Sequence, residues 1–231
     1  RMSRDKYLKI LTIIPARCGS KGVPDKNIID ICGKPLISYS IEQALALKKK
    51  GLVDTVIVST DCKKISDISI KYGASVPFLR PKEISTDESK SIDYYMHAID
   101  FFEDKGVFFD AILLLQPTSP IRSHKLLIEA IQLFNEKEND SLISVYEEEY
   151  INDLVMYKLD KLNNLVSLNR LHNKGVRRQD HSGIYVRNGT IYITKIPFIK
   201  NTKTIVSDNS SYIQMSKLDS VNIDTTEDLY L

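Results

Sequence analysis

The chain has 231 residues, which suits one large domain or a domain with a modest insertion, and its 42% hydrophobic content is spread along the whole length. Its 32 basic and 30 acidic residues leave a net charge of +2, without the basic excess of a nucleic-acid binder, and no apolar run approaches the roughly 18 residues of a membrane span, so neither partner is expected. Cys18, Cys32 and Cys62 lack CxxC spacing, the four histidines are scattered, and the polar residues 1–9 hold no signal-peptide stretch, which together predict a reduced, cytoplasmic protein without a zinc site.

In chain order, residues 10–14 form an apolar run that ends at Pro15 and predicts a buried strand. Pro35 opens a helical pattern with Ile37, Ile41, Ala44 and Leu45 on one face and Gly51 beyond its end. A second buried strand is predicted at 55–59, a helix at 65–72 closed by Gly73, and a further helix from Ile92, Tyr95, Met96 and Ile99. Residues 111–115 (AILLL) predict a third buried strand, Leu127, Ala130, Ile131 and Phe134 a helix capped by Ser123, and 142–146 another strand. From 147 to 187 the pattern turns polar with short alternating pieces, which predicts an arm inserted into a single domain spanning 8–231. Strands are expected again at 191–194 and 212–215, and a helix is expected to start at Thr225.

Strands apolar on both faces, separated by amphipathic helices, define an α/β protein with a parallel sheet covered by helices. Ligands of such sheets bind at the carboxyl ends of the strands, which selects the loops after Ile14, Ser59 and Leu115.

Four segments have the residue types for chemistry there. Residues 15–27 (PARCGSKGVPDKN) place Arg17, Lys21 and Lys26 within ten residues, among glycines that let the backbone approach an anion. This suits a triphosphate, although it is neither of the two familiar phosphate loops; a solvated basic loop is the alternative. Residues 115–122 (LQPTSPIR) offer the Gln116 amide and the Thr118 and Ser119 hydroxyls, or form an ordinary strand-to-helix turn. Arg177 and Arg178, with Gln179 and Asp180, precede Tyr185 and Asn188-Gly189; paired arginines suit a carboxylate, and Asn-Gly is equally a turn dipeptide. Asn222-Ile223-Asp224-Thr225 presents a carboxylate that either holds Mg²⁺ between phosphate oxygens or caps the last helix.

In combination, these segments resemble the acylneuraminate cytidylyltransferase (CMP-sialic acid synthetase) family. The resemblance is carried by IPARxGSKGxPxKN over residues 14–27, LLQPTSPxR over 114–122, Arg178-Gln179 followed by NGxIYI over 188–193, and IDT over 223–225. Ser59-Thr60-Asp61 and Arg80-Pro81 match two shorter family segments. The resemblance implies a three-layer α/β/α, Rossmann-like nucleotidyltransferase sandwich. It also implies a Mg²⁺-dependent homodimer whose inserted arm reaches the partner's site. The implied reaction is CMP transfer from CTP to the anomeric hydroxyl of a nine-carbon sugar acid, with release of pyrophosphate.

The same resemblance assigns Ala16, Arg17, Gly19, Ser20, Lys21, Lys26, Asn27, Arg80 and Ser91 to the nucleotide. It assigns Gln116, Thr118, Ser119, Arg178, Gln179, Tyr185 and Asn188 to the sugar acid, with Arg178 acting across the dimer. Arg17, Lys21 and Asp224 are the implied catalytic groups, and Asp224 and Asn222 the implied metal ligands. Two departures bear on this. Asn222 stands where the family often has the first aspartate of a DxD pair, and His181-Ser182-Gly183 stands where it usually has prolines. The second departure and the unusual residues 147–150 lie where the sugar is chosen, so legionaminic and pseudaminic acids are as consistent as N-acetylneuraminate, and guanylyl transfer to legionaminate is the alternative within the class. A nucleotide-binding regulator with a decayed site is the alternative outside it.

Overall fold

Alternation of side chains across apolar strands accounts for the architecture. The computed structural model describes residues 8–19, 22–149, 151–174 and 183–230. In chain order the elements are β1 (Ile10–Pro15), β2 (Asp30–Ile31), β3 (Lys34–Pro35), α1 (Leu36–Lys49), β4 (Thr55–Ser59), α2 (Lys63–Lys71) and α3 (Ser91–Glu103). They continue with β5 (Ala111–Leu114), α4 (His124–Glu136), β6 (Ser141–Glu148), β7 (Tyr157–Leu159), β8 (Leu165–Ser167), β9 (Ile184–Lys195), α5 (Ile196–Thr202) and β10 (Ser211–Met215).

Six strands form one sheet in the order β10-β6-β9-β5-β1-β4. Successive residues of β1 point to opposite faces: Ile10 and Ile14 join a core with the buried sides of α1, α2 and α4, while Leu11 and Ile13 join a second core with α3 and α5. β4 and β5 divide in the same way, with Val56, Val58, Ala111 and Leu113 on the first face and Ile57, Ile112 and Leu114 on the second. Burial on both faces is why these strands read as unbroken apolar runs, and the result is the three-layer α/β/α sandwich. Ser123 caps α4, its hydroxyl accepting from Leu126 N at 3.1 Å.

Four expectations are corrected. The sheet is mixed rather than parallel: β9 runs antiparallel to both β5 and β6. β9 also begins at Ile184 rather than residue 191, and β6 runs on to Glu148, so Glu147 pairs with Tyr185 and Glu148 with Ile184. The boundaries drawn at 147 and 187 therefore fall inside paired strands, and the β7–β8 ribbon lies between them in the chain. Asn188-Gly189 is no turn. Gly189 adopts φ +74° within β9, where the register against β6 shifts between Ile143 and Val145, making a bulge. Finally, no α-helix starts at Thr225. Asp228 accepts from the amides of Asp224 and Thr225 at 2.8 and 2.7 Å, and Glu227–Tyr230 forms one 3-10 turn. These two amide donors hold the Asp228 carboxyl below its ordinary value. The short helix α5, opened by Pro197 in its first turn, was not anticipated.

Candidate active site

The carboxyl ends of β1 and β5 open onto a cavity of about 440 Å³. Of the residues expected there, it brings together Arg17, Lys26, Asn27, Arg80, Ser91, Gln116, Thr118, Asn188, Asn222 and Asp224.

On the phosphate-loop side, Ala16 is buried and its amide donates to Ser59 O at 2.9 Å, which fixes the start of the loop against β4. The Cys18 amide donates to Asp61 Oδ1 at 2.7 Å. Gly19 turns the chain at φ +67°, and its carbonyl accepts from Arg17. Asn27 Nδ2 donates to Arg17 O at 3.3 Å, closing the loop on itself. A hydrogen bond with Cys62 is the first cause that pushes the Cys18 thiol above its ordinary value, and burial is the second, so the loop cysteine is no activated nucleophile. Ser20 and Lys21 lie outside the described residues, as do Arg178 and Gln179.

Three cations face the cavity. Arg17 pairs with Asp87, and Lys26 Nζ lies 3.0 Å from Asp224 Oδ1. Arg80 is buried, donates from Nη2 to Ser59 O at 3.0 Å, and sits 5.2 Å over the Tyr94 ring. Its Nε is buried without a partner, and burial is the first cause holding the guanidinium below its ordinary pKa. Ser91 and Tyr94 belong to the first turn of α3, whose N-terminus adds a positive dipole end. Burial pushes the Tyr94 hydroxyl up to about 12, so it remains a neutral donor.

On the opposite wall, Gln116 Nε2 donates to Gly189 O at 3.0 Å, which leaves its amide oxygen for a ligand. The Asn188 amide is engaged within the fold: its Oδ1 accepts from Ser144 Oγ at 2.5 Å and its Nδ2 donates to Ser220 Oγ at 2.8 Å. The C-terminal segment is stitched to the β5 loop, since Ile223 N donates to Thr118 O at 2.7 Å and the buried Ser119 hydroxyl donates to Asn222 Oδ1 at 3.3 Å. Asn222 in turn donates its amide hydrogen to Asp224. Tyr185 stands outside the cavity lining, exposed on β9 with its ring 5.8 Å from that of Tyr212.

The residues that sequence reasoning missed are Thr86, Asp87, Ser89 and Tyr94, together with Gly189 as a wall residue. The polar stretch before α3 carries no periodic signal.

A cation-lined cavity at the strand ends of this α/β/α sandwich defines the nucleotidyltransferase class of fold. Two solved structures share that architecture: a CMP:2-keto-3-deoxy-manno-octonic acid synthetase complexed with CTP (TM-score 0.68, 17% identity, 96% of this chain and 95% of that one), and the 4-diphosphocytidyl-2C-methyl-D-erythritol synthase of Anaerococcus prevotii (TM-score 0.63, 14% identity, 98% and 96%). At these identities the likeness is one of fold.

The chain belongs to the cytidylyltransferase family, which it matches over residues 11–229. It is 34% identical to the CMP-N,N'-diacetyllegionaminic acid synthase of Legionella pneumophila and 35% identical to the pseudaminic acid cytidylyltransferase of Campylobacter jejuni, covering 96% of this chain and 93% and 94% of those proteins. It is also 34% identical to the N-acylneuraminate cytidylyltransferase of Streptococcus agalactiae, of which it spans about half, 52%. Among the described residues no helix is long and apolar enough to cross a membrane.

Proposed function

We propose that this protein transfers a cytidylyl group from CTP to the anomeric hydroxyl of a nine-carbon sugar acid, releasing pyrophosphate and a CMP-sugar. The observation that carries the reading is the convergence of Arg17, Lys26 and Arg80 opposite Gln116 in one cavity at the strand ends. The sugar is proposed at the level of its class, because the legionaminate, pseudaminate and neuraminate relatives are all 34–35% identical. The names of those relatives support CTP over GTP.

In the proposed reaction the anomeric oxygen bonds to the α-phosphorus and the bond to the β-phosphate oxygen breaks. The hydroxyl proton passes to solvent. Little covalent chemistry falls to the protein, so alignment and charge neutralisation carry the rate. Arg17 and Arg80 face the phosphates, with Ser20 and Lys21 assigned there by family resemblance. Gln116 aligns the sugar acid, and Arg178 and Gln179 are assigned to its carboxylate by the same resemblance.

The residues fit a Mg²⁺ ion modestly. Among the described residues no three acidic, histidine or cysteine side chains cluster, and Asp224, with 59% of its side chain exposed, is the carboxylate placed to share an ion with phosphates and water. When bound there, Mg²⁺ supplies charge neutralisation for the departing pyrophosphate. Asn222, a weaker neutral ligand, would have to turn its oxygen away from Ser119 to join.

A homodimer is supported by the β7–β8 ribbon, which leaves Leu159 61% and Leu165 71% exposed beside Tyr157 and Val166, more apolar surface than a lone ribbon keeps in water. A cytoplasmic location is supported by three unpaired thiols.

The test measures pyrophosphate release with CTP and with GTP against N-acetylneuraminate, legionaminate and pseudaminate. CTP with at least one of these acids is expected to release it. Release with GTP alone would overturn the cytidine assignment.

A further inference from the structure

Arg122 lies behind the cavity wall, buried to 6% exposure. Its Nε donates to Thr190 O at 2.8 Å, its Nη1 to Ser40 Oγ at 3.1 Å and Gln43 Oε1 at 3.0 Å, and its Nη2 to Gln116 O at 2.6 Å. All four acceptors are neutral. No carboxylate of the described residues acts on it: burial is the sole cause lowering its pKa, to about 9, so the guanidinium keeps its charge at neutral pH.

Burying a full charge without a counter-charge is costly, and neutral amides would serve such acceptors without that cost. The two carbonyls it holds belong to Gln116 and to Thr190, next to Gly189, so the charge stands one residue layer behind the wall. At the mouth of the cavity, by contrast, Arg17 and Lys26 already face Asp87 and Asp224.

We propose that Arg122 acts on bound anions from behind the wall, as a buried positive charge whose counter-ion is the phosphate or carboxylate of the substrate. The inference rests on reading the cavity as a triphosphate and sugar-acid site. Arg122 touches no substrate in this scheme; it is a positioning residue that acts through its field and through Gln116.

Gln43 provides the test, because its Oε1 already accepts from Nη1. Gln43→Glu changes one atom and sets a carboxylate on the guanidinium. Gln43→Met removes the same amide, including its donations to Pro120 O at 2.9 Å and Arg122 O at 3.3 Å, and adds no charge. Binding of inorganic pyrophosphate and of CTP is measured by calorimetry in both variants and the wild type, with folding checked by circular dichroism. Gln43→Glu is expected to weaken both ligands by about tenfold, the scale of one charge acting across a protein wall, and Gln43→Met by less than about twofold. Equal affinities in the two variants overturn the proposal. So does a Gln43→Glu protein that fails to fold, which would make Arg122 a structural staple alone. Wild-type protein that binds pyrophosphate yet releases none from CTP with any sugar acid would sink the proposed reaction and leave this inference standing; wild-type protein that binds neither ligand sinks both.

Discussion

A β-carbon added to Gly22 would lie well inside van der Waals contact of the carbonyl oxygen of Asp224. The phosphate loop and the C-terminal carboxylate segment thus meet backbone to backbone, and neither can give way by rotating a side chain. Gly22→Ala must push the two apart. Displacements near 1 Å at such sites cost about 10²-fold in turnover. We expect kcat/KM to fall by about that factor while the melting temperature moves little, since Gly22 is exposed. Steady-state pyrophosphate release with parallel calorimetric melting checks it; wild-type turnover would show that the contact has no bearing on catalysis.

The ion pair between Lys26 and Asp224 keeps an exposed carboxylate aimed into the cavity. Asp224→Asn retains the shape and loses the charge. The expected result is a higher Mg²⁺ concentration for half-maximal rate and a kcat lower by about 10²-fold, the usual scale for losing one preorganised charge contact. Stability should change by less than about 0.5 kcal/mol, as for exposed substitutions generally. A Mg²⁺ titration of the rate separates the two effects, and an unchanged titration curve would remove Asp224 from the metal.

His97 makes stability depend on pH. Its ring packs edge-on to Phe78 at 4.5 Å, its Nδ1 is buried without a partner, and burial first, then the Arg80 charge, lowers its pKa. The folded state therefore binds the proton less tightly than the unfolded chain. This contribution is intact above the ordinary histidine value of about 6.5 and is lost as pH falls below it. His97→Phe keeps the ring contact and removes the titration. Its melting temperature should fall less than that of the wild type between pH 6.5 and 5. Parallel curves for the two proteins would contradict this.

Leu159 and Leu165 face each other across the β7–β8 ribbon and are largely exposed. Replacing both with Asp should lower the molar mass measured by light scattering to that of one chain, because a charge cannot be left desolvated in an apolar contact. If the arm carries part of the partner's sugar site, the KM for the sugar acid should rise further than that for CTP. A double variant of unchanged mass would move the interface elsewhere.

What could be read from the residues follows from what kind of signal each element leaves. β1, β4 and β5 are buried on both faces, so their apolar runs were legible, and with them the edge at which ligands bind. The first half of β9 alternates polar and apolar residues, and its Asn188-Gly189 imitates a turn; only the Ser144 hydroxyl, which donates to Asn188 and accepts from Ile191 N at 2.8 Å, shows that the pair is a bulge held within the sheet. Arg17, Lys26 and Gln116 stood out because cations and amides cluster beside glycines and prolines. Asp87 did not, and neither did the buried role of Arg122, although Arg122 closes the LLQPTSPxR segment. Their roles arise from tertiary neighbours, a facing arginine in one case and the lack of a carboxylate among the described residues in the other.

The cavity joins distant parts of the chain: Lys26 and Asp224 are separated by 198 positions. During synthesis, a chain that has emerged only through β10 already carries Arg17, Lys26 and Arg80, yet lacks the carboxylate that completes the cavity. The Thr118–Ile223 tie that seats this last segment forms only after β5 and its loop have folded. On the proposed reaction, a growing chain gains its full set of cavity groups only once Asp224 has been made, long after the phosphate loop.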